Sequence, residues 1–271
     1  MTETSELSLI LPCYNEAGIL EQSVREILST LDSAAIQHEI LFVDDASRDG
    51  TTQVIRRILR ANPERSMRLI THSVNRGRGR CVTEGIRSAV APLVGFLDVD
   101  LETHCRHIPQ ALDRLLEGAD LVVAARRPRV DWKSVHRQVL SRGYNRLVRS
   151  LLRLPYRDTE AGFKFFRRDR ILPLLGRIEA SGWFWDTEVV ALCHHADFRI
   201  EEMACPFVRR SDHPSTVRPV RDSLAYLRSL IRFRRRLWRE AAESDMAVAT
   251  SAPVSLVWGL PGWSQDDMRT S

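Results

Sequence analysis

Short apolar runs alternate with helix-period stripes along the first half of the chain. The runs LSLILP (7–12), EILFVDD (39–45), MRLITH (67–72), LVGFLD (93–98) and ADLVVAAR (119–126) read as strands. Between the first two, residues 15–32 put Ile19, Val24, Ile27, Leu28 and Leu31 on one stripe of a helix. TTQVIRRILRAN, GRCVTEGIRSAVA and IPQALDRLLEG read as further helices, the last with proline in its first turn. Strands alternating with helices predict right-handed βαβ units and an α/β fold with a mostly parallel central sheet.

The pattern loosens after residue 130. Residues 134–154 read as a helix, DTEAGFKFF (158–166) as a loop entering a short strand, WFWDTEVVALCHHA as a helix and FRIEEMACPFV as a strand. Residues 221–239 form a basic amphipathic helix. Leu224, Leu227, Leu230, Ile231, Leu237 and Trp238 make its apolar stripe, and seven arginines lie mostly elsewhere. The expected organisation is one domain over 1–240 and a disordered tail over 241–271.

Composition narrows the class. The chain has 271 residues, 44% hydrophobic and 28% charged, with a net charge of +5. Its positive side chains are arginine apart from Lys133 and Lys164, and arginine is the better fork for phosphate. Five scattered cysteines without CxxC spacing argue against a disulfide framework or zinc site, and for a reducing compartment. No run reaches the ~18 apolar residues that span a bilayer. The N-terminus has no signal-peptide pattern, so the expectation is a cytoplasmic protein, with at most peripheral contact at the cytosolic membrane face.

In such sheets ligands bind beyond the carboxyl ends of the strands. Five successive strand ends carry polar clusters: PCYNE, DDASRDGT, NRGRGR, DVDLE and ARR, a coincidence that points to an enzyme. In GFLDVDLETH, Asp98, Asp100 and Glu102 alternate, so an extended segment would crowd three carboxylates on one side. A hard cation such as Mg²⁺ or Mn²⁺ makes that crowding favourable, and a solvated acidic junction is the plain alternative. Asp44 or Asp45 suits a base or ribose contact, or else caps the next helix. The glycines and arginines of NRGRGR, Arg78 among them, suit an anion at a helix start or a solvated basic turn. Asp186 and Glu188, among three aromatics, read as carboxylates facing an acceptor or as a helix first turn. HCRH (104–107) and the His194–His195 pair lack a zinc-type partner set.

Together these motifs resemble the inverting glycosyltransferases of family two, which have the GT-A fold. LPCYNEAGIL, VDDASRDGT, NRGRGR and DVD look like the nucleotide-sugar half (7–125). SRGYNRLVR, DTEAGFKFF, WFWDTEVV and CPFVRR…HPST in the acceptor half (126–220) are similar to dolichyl-phosphate glucosyltransferases and, a step further, mannose synthases. The resemblance implies that Pro12, Tyr14, Glu16 and Asp44 contact base and ribose. It further implies that Asp98 and Asp100 engage the metal and diphosphate, with Glu102 near the metal. Arg126, Arg137, Ser141 and Arg210 would hold the acceptor phosphate or donor diphosphate. The sequence departs from the family at Thr216, where a lysine is usual, and at Arg80, where small residues are commoner.

The implied reaction moves a hexose from UDP-glucose or GDP-mannose type donors to a polyprenyl phosphate. That acceptor is already anionic, whereas a soluble hydroxyl acceptor would need a base, for which Asp186 or Glu188 is the candidate. A non-catalytic nucleotide- or nucleic-acid-binding protein is the remaining class. Against it, the basic stretches lack interleaved stacking aromatics, and nucleic acid is not an expected partner.

Overall fold

The computed structural model describes residues 5–128, 146, 148–207 and 219–251. Seven strands form one sheet: β1 (Leu7–Cys13), β2 (His38–Asp44), β3 (Met67–Thr71), β4 (Leu93–Leu97), β5 (Leu121–Pro128), β6 (Phe163–Arg167) and β7 (Ile200–Phe207). Their order is β3-β2-β1-β4-β6-β5-β7. All pairings are parallel except those of β6, which runs against both β4 and β5.

Side-chain alternation along the strands feeds two cores. Leu7, Leu9, Leu11 and Cys13 of β1 face the core closed by helices α1 (Leu20–Ser33), α2 (Thr51–Ala61) and α4 (Ile108–Leu116). Ile10 faces the other core, covered by α3 (Arg78–Ser88) and α5 (Trp185–His195). Each fully buried Leu, Ile or Phe contributes roughly 1.5–3 kcal/mol. Trp185 through Cys193 are all buried, so α5 is an interior helix. Its Trp185 indole donates to Thr83 Oγ1 at 2.8 Å and meets Phe96 edge-on.

The reversal of β6 shapes the site. Phe163 pairs with Leu97, so β6 begins where the parallel strand β4 ends. The segment leading into β6 therefore enters the crevice at the strand carboxyl ends. The expectation of a mostly parallel sheet holds, with this one strand inverted.

Helix α6 (Pro219–Ser251) starts near the expected residue but runs on into the stretch expected as a disordered tail. Residues through Arg232 belong to the main body, and Phe233 onward make a second unit. Within the body, the expected apolar stripe divides. Tyr226 and Leu230 are buried, with Tyr226 edge-on to Phe184, while Leu227 and Ile231 are exposed. In the second unit, Arg234 lies over the exposed Trp238 ring at 4.5 Å. Among the described residues no helix is long and apolar enough to cross a membrane. All five cysteines are free and buried.

Candidate active site

The loops after β1 and β2 are stitched together by side chains. Asn15, at φ 59°, donates its backbone N–H to Ser47 Oγ at 2.9 Å, and its side-chain oxygen accepts from Arg48 N at 2.8 Å. Glu16 N donates to Thr51 Oγ1 at 2.8 Å and Ala17 N to Asp49 Oδ2 at 3.0 Å. The motif VDDASRDGT thus works chiefly as a brace that fixes where Tyr14 and Glu16 project. Tyr14 is exposed on this rim, and Pro12 is buried in β1.

Asp44 is buried and accepts from Ser47 N at 3.2 Å, from Ser47 Oγ at 2.5 Å and from Thr52 Oγ1. These bonds close the turn itself rather than cap the helix that follows, whose N-cap is Gly50 with no side-chain cap bond. The buried Asp45 carboxylate accepts from Arg76 N and Gly77 N, both at 2.7 Å, and so clamps the next loop. His72 bridges Asp45 Oδ1 (2.7 Å) and Glu84 Oε2 (3.1 Å), with Cys81 Sγ 4.0 Å from Nδ1. Asp45, His72 and Cys81 are, among the described residues, the one trio whose ligand-type atoms lie within 4.8 Å of one another. The 2.7 Å spacing is that of a hydrogen bond. This trio is a relay that holds the 76–77 turn.

That turn needs its glycines for packing. Gly77, at φ 94°, would put a Cβ 2.5 Å from Ser181 O, and a Cβ on Gly79 would lie 2.3 Å from Trp185 Cβ. Arg80 N donates to Gly77 O at 3.0 Å and to Ser181 O at 3.1 Å. NRGRGR is therefore a docking point for the segment entering α5. What it delivers to the crevice is Arg78.

Arg78 sits at the centre of the site. Its Nε–H donates to Asp98 Oδ1 at 2.6 Å and its NH1 to Asp186 Oδ2 at 2.5 Å. The guanidinium lies 5.1 Å from the Phe96 ring centre and 5.4 Å from that of Trp183. Its NH2 is buried without a hydrogen-bond partner among the described residues. The two carboxylates raise its already high pKa further, against the opposing effect of burial. Asp186 also accepts from Lys164 Nζ at 2.5 Å, and Lys164 Nζ donates to Ala161 O at 2.6 Å. Lys164 is 0% and Asp186 1% exposed.

The alternation expected of Asp98, Asp100 and Glu102 does not occur, because β4 ends at Leu97. Residues 98–101 form a turn closed by Leu101 N to Asp98 O at 3.1 Å, with Leu101 at φ 54°. Asp100 Oδ1 accepts from Glu102 N at 3.1 Å, and the three acids do not form a metal-type trio among the described residues. The crowding involves Glu16 instead. Burial, then Asp100 and Asp98, push the Glu16 carboxyl up to about 8. Burial pushes Asp98 up to about 6, with Arg78 opposing and Asp100 and Asp186 adding.

Four carboxylates (Glu16, Asp98, Asp100, Asp186) thus meet two side-chain cations (Arg78, Lys164). With all four ionised, as around a bound cation, the surplus is two negative charges, and carboxylate oxygens are the ligands of a hard divalent cation. The residues fit Mg²⁺ or Mn²⁺.

Both candidate bases lie in the buried first turn of α5. Asp186 is a buried counter-ion to Arg78 and Lys164. Glu188, 1% exposed, accepts from Glu179 N (3.2 Å) and Ala180 N (2.7 Å), bracketing the turn before α5. Arg126, expected to hold a phosphate, pairs with Asp158 and lies 3.6 Å from Glu160. Arg137, Ser141 and Arg210 lie outside the described residues. Lys164, Gly162 and Asp158, in the DTEAGFKFF segment, contact these site residues although the sequence reading gave them no individual role. A lysine between phenylalanines, in a chain with only one other, was a usable signal.

Comparison with known proteins gives this geometry a family. Residues 8–172 match the profile of glycosyl transferase family 2. The chain is 34% identical over 233 residues to glycosyltransferase AglD of Haloferax volcanii, covering 84% of this chain and 36% of AglD. It thus spans about a third of that relative's length. It is 26% identical over 242 residues to dolichyl-phosphate beta-glucosyltransferase of Dictyostelium discoideum, covering 84% of this chain and 73% of the relative. The fold matches glucosyl-3-phosphoglycerate synthase from Mycobacterium tuberculosis, solved with Mn²⁺, uridine diphosphate and glucosyl-3-phosphoglycerate. The TM-score is 0.62 at 20% identity, over 84% of this chain and 78% of that one. With the family profile matched over more than half its length, the chain belongs to glycosyl transferase family 2, a family of sugar-transferring enzymes.

Proposed function

We propose that the chain transfers a hexose from a nucleotide sugar, of the UDP-glucose or GDP-mannose type, to a polyprenyl phosphate. The observation that carries this reading is the Glu16–Asp98–Asp100 cluster beside Arg78, whose buried NH2 lacks a partner among the described residues. An acidic cluster beside an unsatisfied guanidinium suits a cation and the polyanion it escorts.

Asp100, Asp98 and Glu16 would hold Mg²⁺ or Mn²⁺, with Glu102 nearby. When bound, the ion supplies Lewis-acid stabilisation of the departing nucleoside diphosphate. Pro12, Tyr14 and Asp44 frame the base and ribose, and Arg78 offers NH2 to a donor oxygen. Arg137, Ser141 and Arg210 hold the acceptor phosphate, with Arg126 bracing that half through Asp158.

The placement of Asp186 and Glu188 supports a phosphate acceptor. A hydroxyl acceptor needs a base, and both expected bases are buried and occupied. A phosphate brings its own anionic oxygen. The similarity to dolichyl-phosphate beta-glucosyltransferase supports the same class. The exposed Leu227 and Ile231, beside exposed Arg228 and Arg232, support peripheral contact with an anionic membrane face.

The test uses labelled UDP-glucose and GDP-mannose with dolichyl phosphate or 3-phosphoglycerate, with Mn²⁺ or a chelator. Label should enter the lipid phosphate only with metal. Label entering the soluble hydroxyl acceptor instead would overturn the acceptor assignment.

A further inference from the structure

The ion pair between Lys164 and Asp186 has no contact with the crevice of its own, yet every link from it leads there. Lys164 comes from β6, Asp186 from the first turn of α5, Arg78 from the start of α3 and Asp98 from the end of β4. Asp186 divides its two oxygens: Oδ1 takes Lys164 Nζ and Oδ2 takes Arg78 NH1. Lys164 is fixed in turn by Ala161 O, at 2.6 Å.

We propose that Lys164 and Asp186 are positioning residues, a buried ion pair that aims the Arg78 guanidinium at Asp98 and holds its remaining edge toward the donor. The inference rests on the donor-site reading above and extends it to two residues that touch no substrate.

Three observations carry it. First, the pair is a poor device for stability alone, because well-packed apolar residues of similar volume commonly serve as well as a buried ion pair. Second, the division of oxygens sets geometry. With Oδ1 occupied, Asp186 offers Arg78 a single oxygen, and the guanidinium keeps Nε for Asp98 at 2.6 Å. Without Lys164, both carboxylate oxygens become available, and the favoured arrangement is a two-pronged fork onto Asp186 that draws Arg78 off Asp98. Third, the Arg78–Asp98 pair is closely fitted on two sides, so a change in how Asp186 holds Arg78 is felt at Asp98. Phe96 and Trp183 flank the guanidinium, and a Cβ on Gly162 would lie 1.7 Å from Asp98 Oδ2 and 2.7 Å from Arg78 NH2.

The decisive variant is Lys164→Met. Should it fail to fold, Lys164→Met with Asp186→Leu removes both buried charges together; there Arg78 NH1 loses its anchor rather than gaining a fork, and the reading is the nucleotide affinity, which should fall by the same margin. Two measurements are made: a crystal structure of the variant, and calorimetric affinity for uridine and guanosine diphosphate with Mn²⁺. Arg78 should leave Asp98, and affinity for the nucleotide that wild type binds should fall at least tenfold. In an Arg78→Ala background the same substitution should cause no further loss, because the pair acts through Arg78. Arg78 unmoved with wild-type affinity, or losses that add in that background, would overturn the inference. If wild type binds neither nucleotide, the donor-site reading fails, while the position of Arg78 in the variant still decides this inference.

Discussion

The guanidinium of Arg126 and the carboxylate of Asp158 meet edge to edge, Nε to Oδ2 at 2.6 Å and NH2 to Oδ1 at 3.0 Å. The pair ties the end of β5 to the segment entering β6, and Asp158 is only 7% exposed. Burial alone would raise the Asp158 carboxyl, but Arg126 overrides it and holds it below its ordinary 3.8. A depressed acid stabilises the fold fully above its unfolded value and loses that contribution as pH falls through the folded one. Asp158→Asn should therefore cost on the order of 3 kcal/mol at neutral pH. The gap from wild type should hold down to about pH 4 and close below it. Urea melts from pH 2.5 to 7 check this, and a gap independent of pH would refute it.

The acidic cluster makes a two-sided prediction about metal. Asp100→Ala should abolish the Mn²⁺-dependent rise in melting temperature while leaving the metal-free protein folded. Glu16→Gln removes repulsion from Asp98 and Asp100. The metal-free variant should melt about 2–4 °C higher, the shift that about 1 kcal/mol gives in a chain of this size. Its gain from Mn²⁺ should shrink. Thermal melts of both variants with Mn²⁺ and with chelator suffice, and an unchanged Mn²⁺ response in Asp100→Ala would sink the cation site.

Gly162 is a steric requirement. Its Cα lies against Asp98, so Gly162→Ala should displace the Asp98–Arg78 pair and weaken nucleotide binding at least about tenfold, or about 1.4 kcal/mol. Gly176→Ala is the control, since a Cβ there meets nothing within 4 Å. Equal binding by both variants would show that the pair tolerates displacement.

Glu188 separates bracket from base. Glu188→Ala strips the acceptor from the N–H groups of Glu179 and Ala180, which should cost about 1–3 kcal/mol of stability. Turnover per folded molecule and its pH profile should stay unchanged, whereas loss of a general base costs about 10²–10⁴ in rate. A turnover loss of that size with unchanged stability would return Glu188 to the chemistry.

The strands were legible because each is a short apolar run ending in polar residues, as in LSLILP followed by CYNE. The direction of β6 was not, since FKFF carries no mark of which way it pairs. The turn at 98–101 was missed for a similar reason: nothing about Leu101 announces a left-handed backbone. The chemistry of Glu16, Asp98, Asp100 and Arg78 was readable from strand-end position. Of the two readings of WFWDTEVV, the helix first turn is the one the structure shows: Asp186 and Glu188 lie in the first turn of a buried helix, so they serve as internal ligands of cations and backbone.

The inverted strand also sets the order in which the site can be made. Synthesis runs from the N-terminus, so Asp98 and Asp100 exist before Lys164 and Asp186. Contact between Arg78 and Asp186 closes across 108 residues of sequence. Until β6 slides between β4 and β5, a nascent chain carries a clustered negative edge with no internal counter-charge from Lys164. The slot between β4 and β5 is thus filled by a strand made after both of its neighbours, and the contacts that complete the crevice are among the longest-range in the chain, the kind that form slowly.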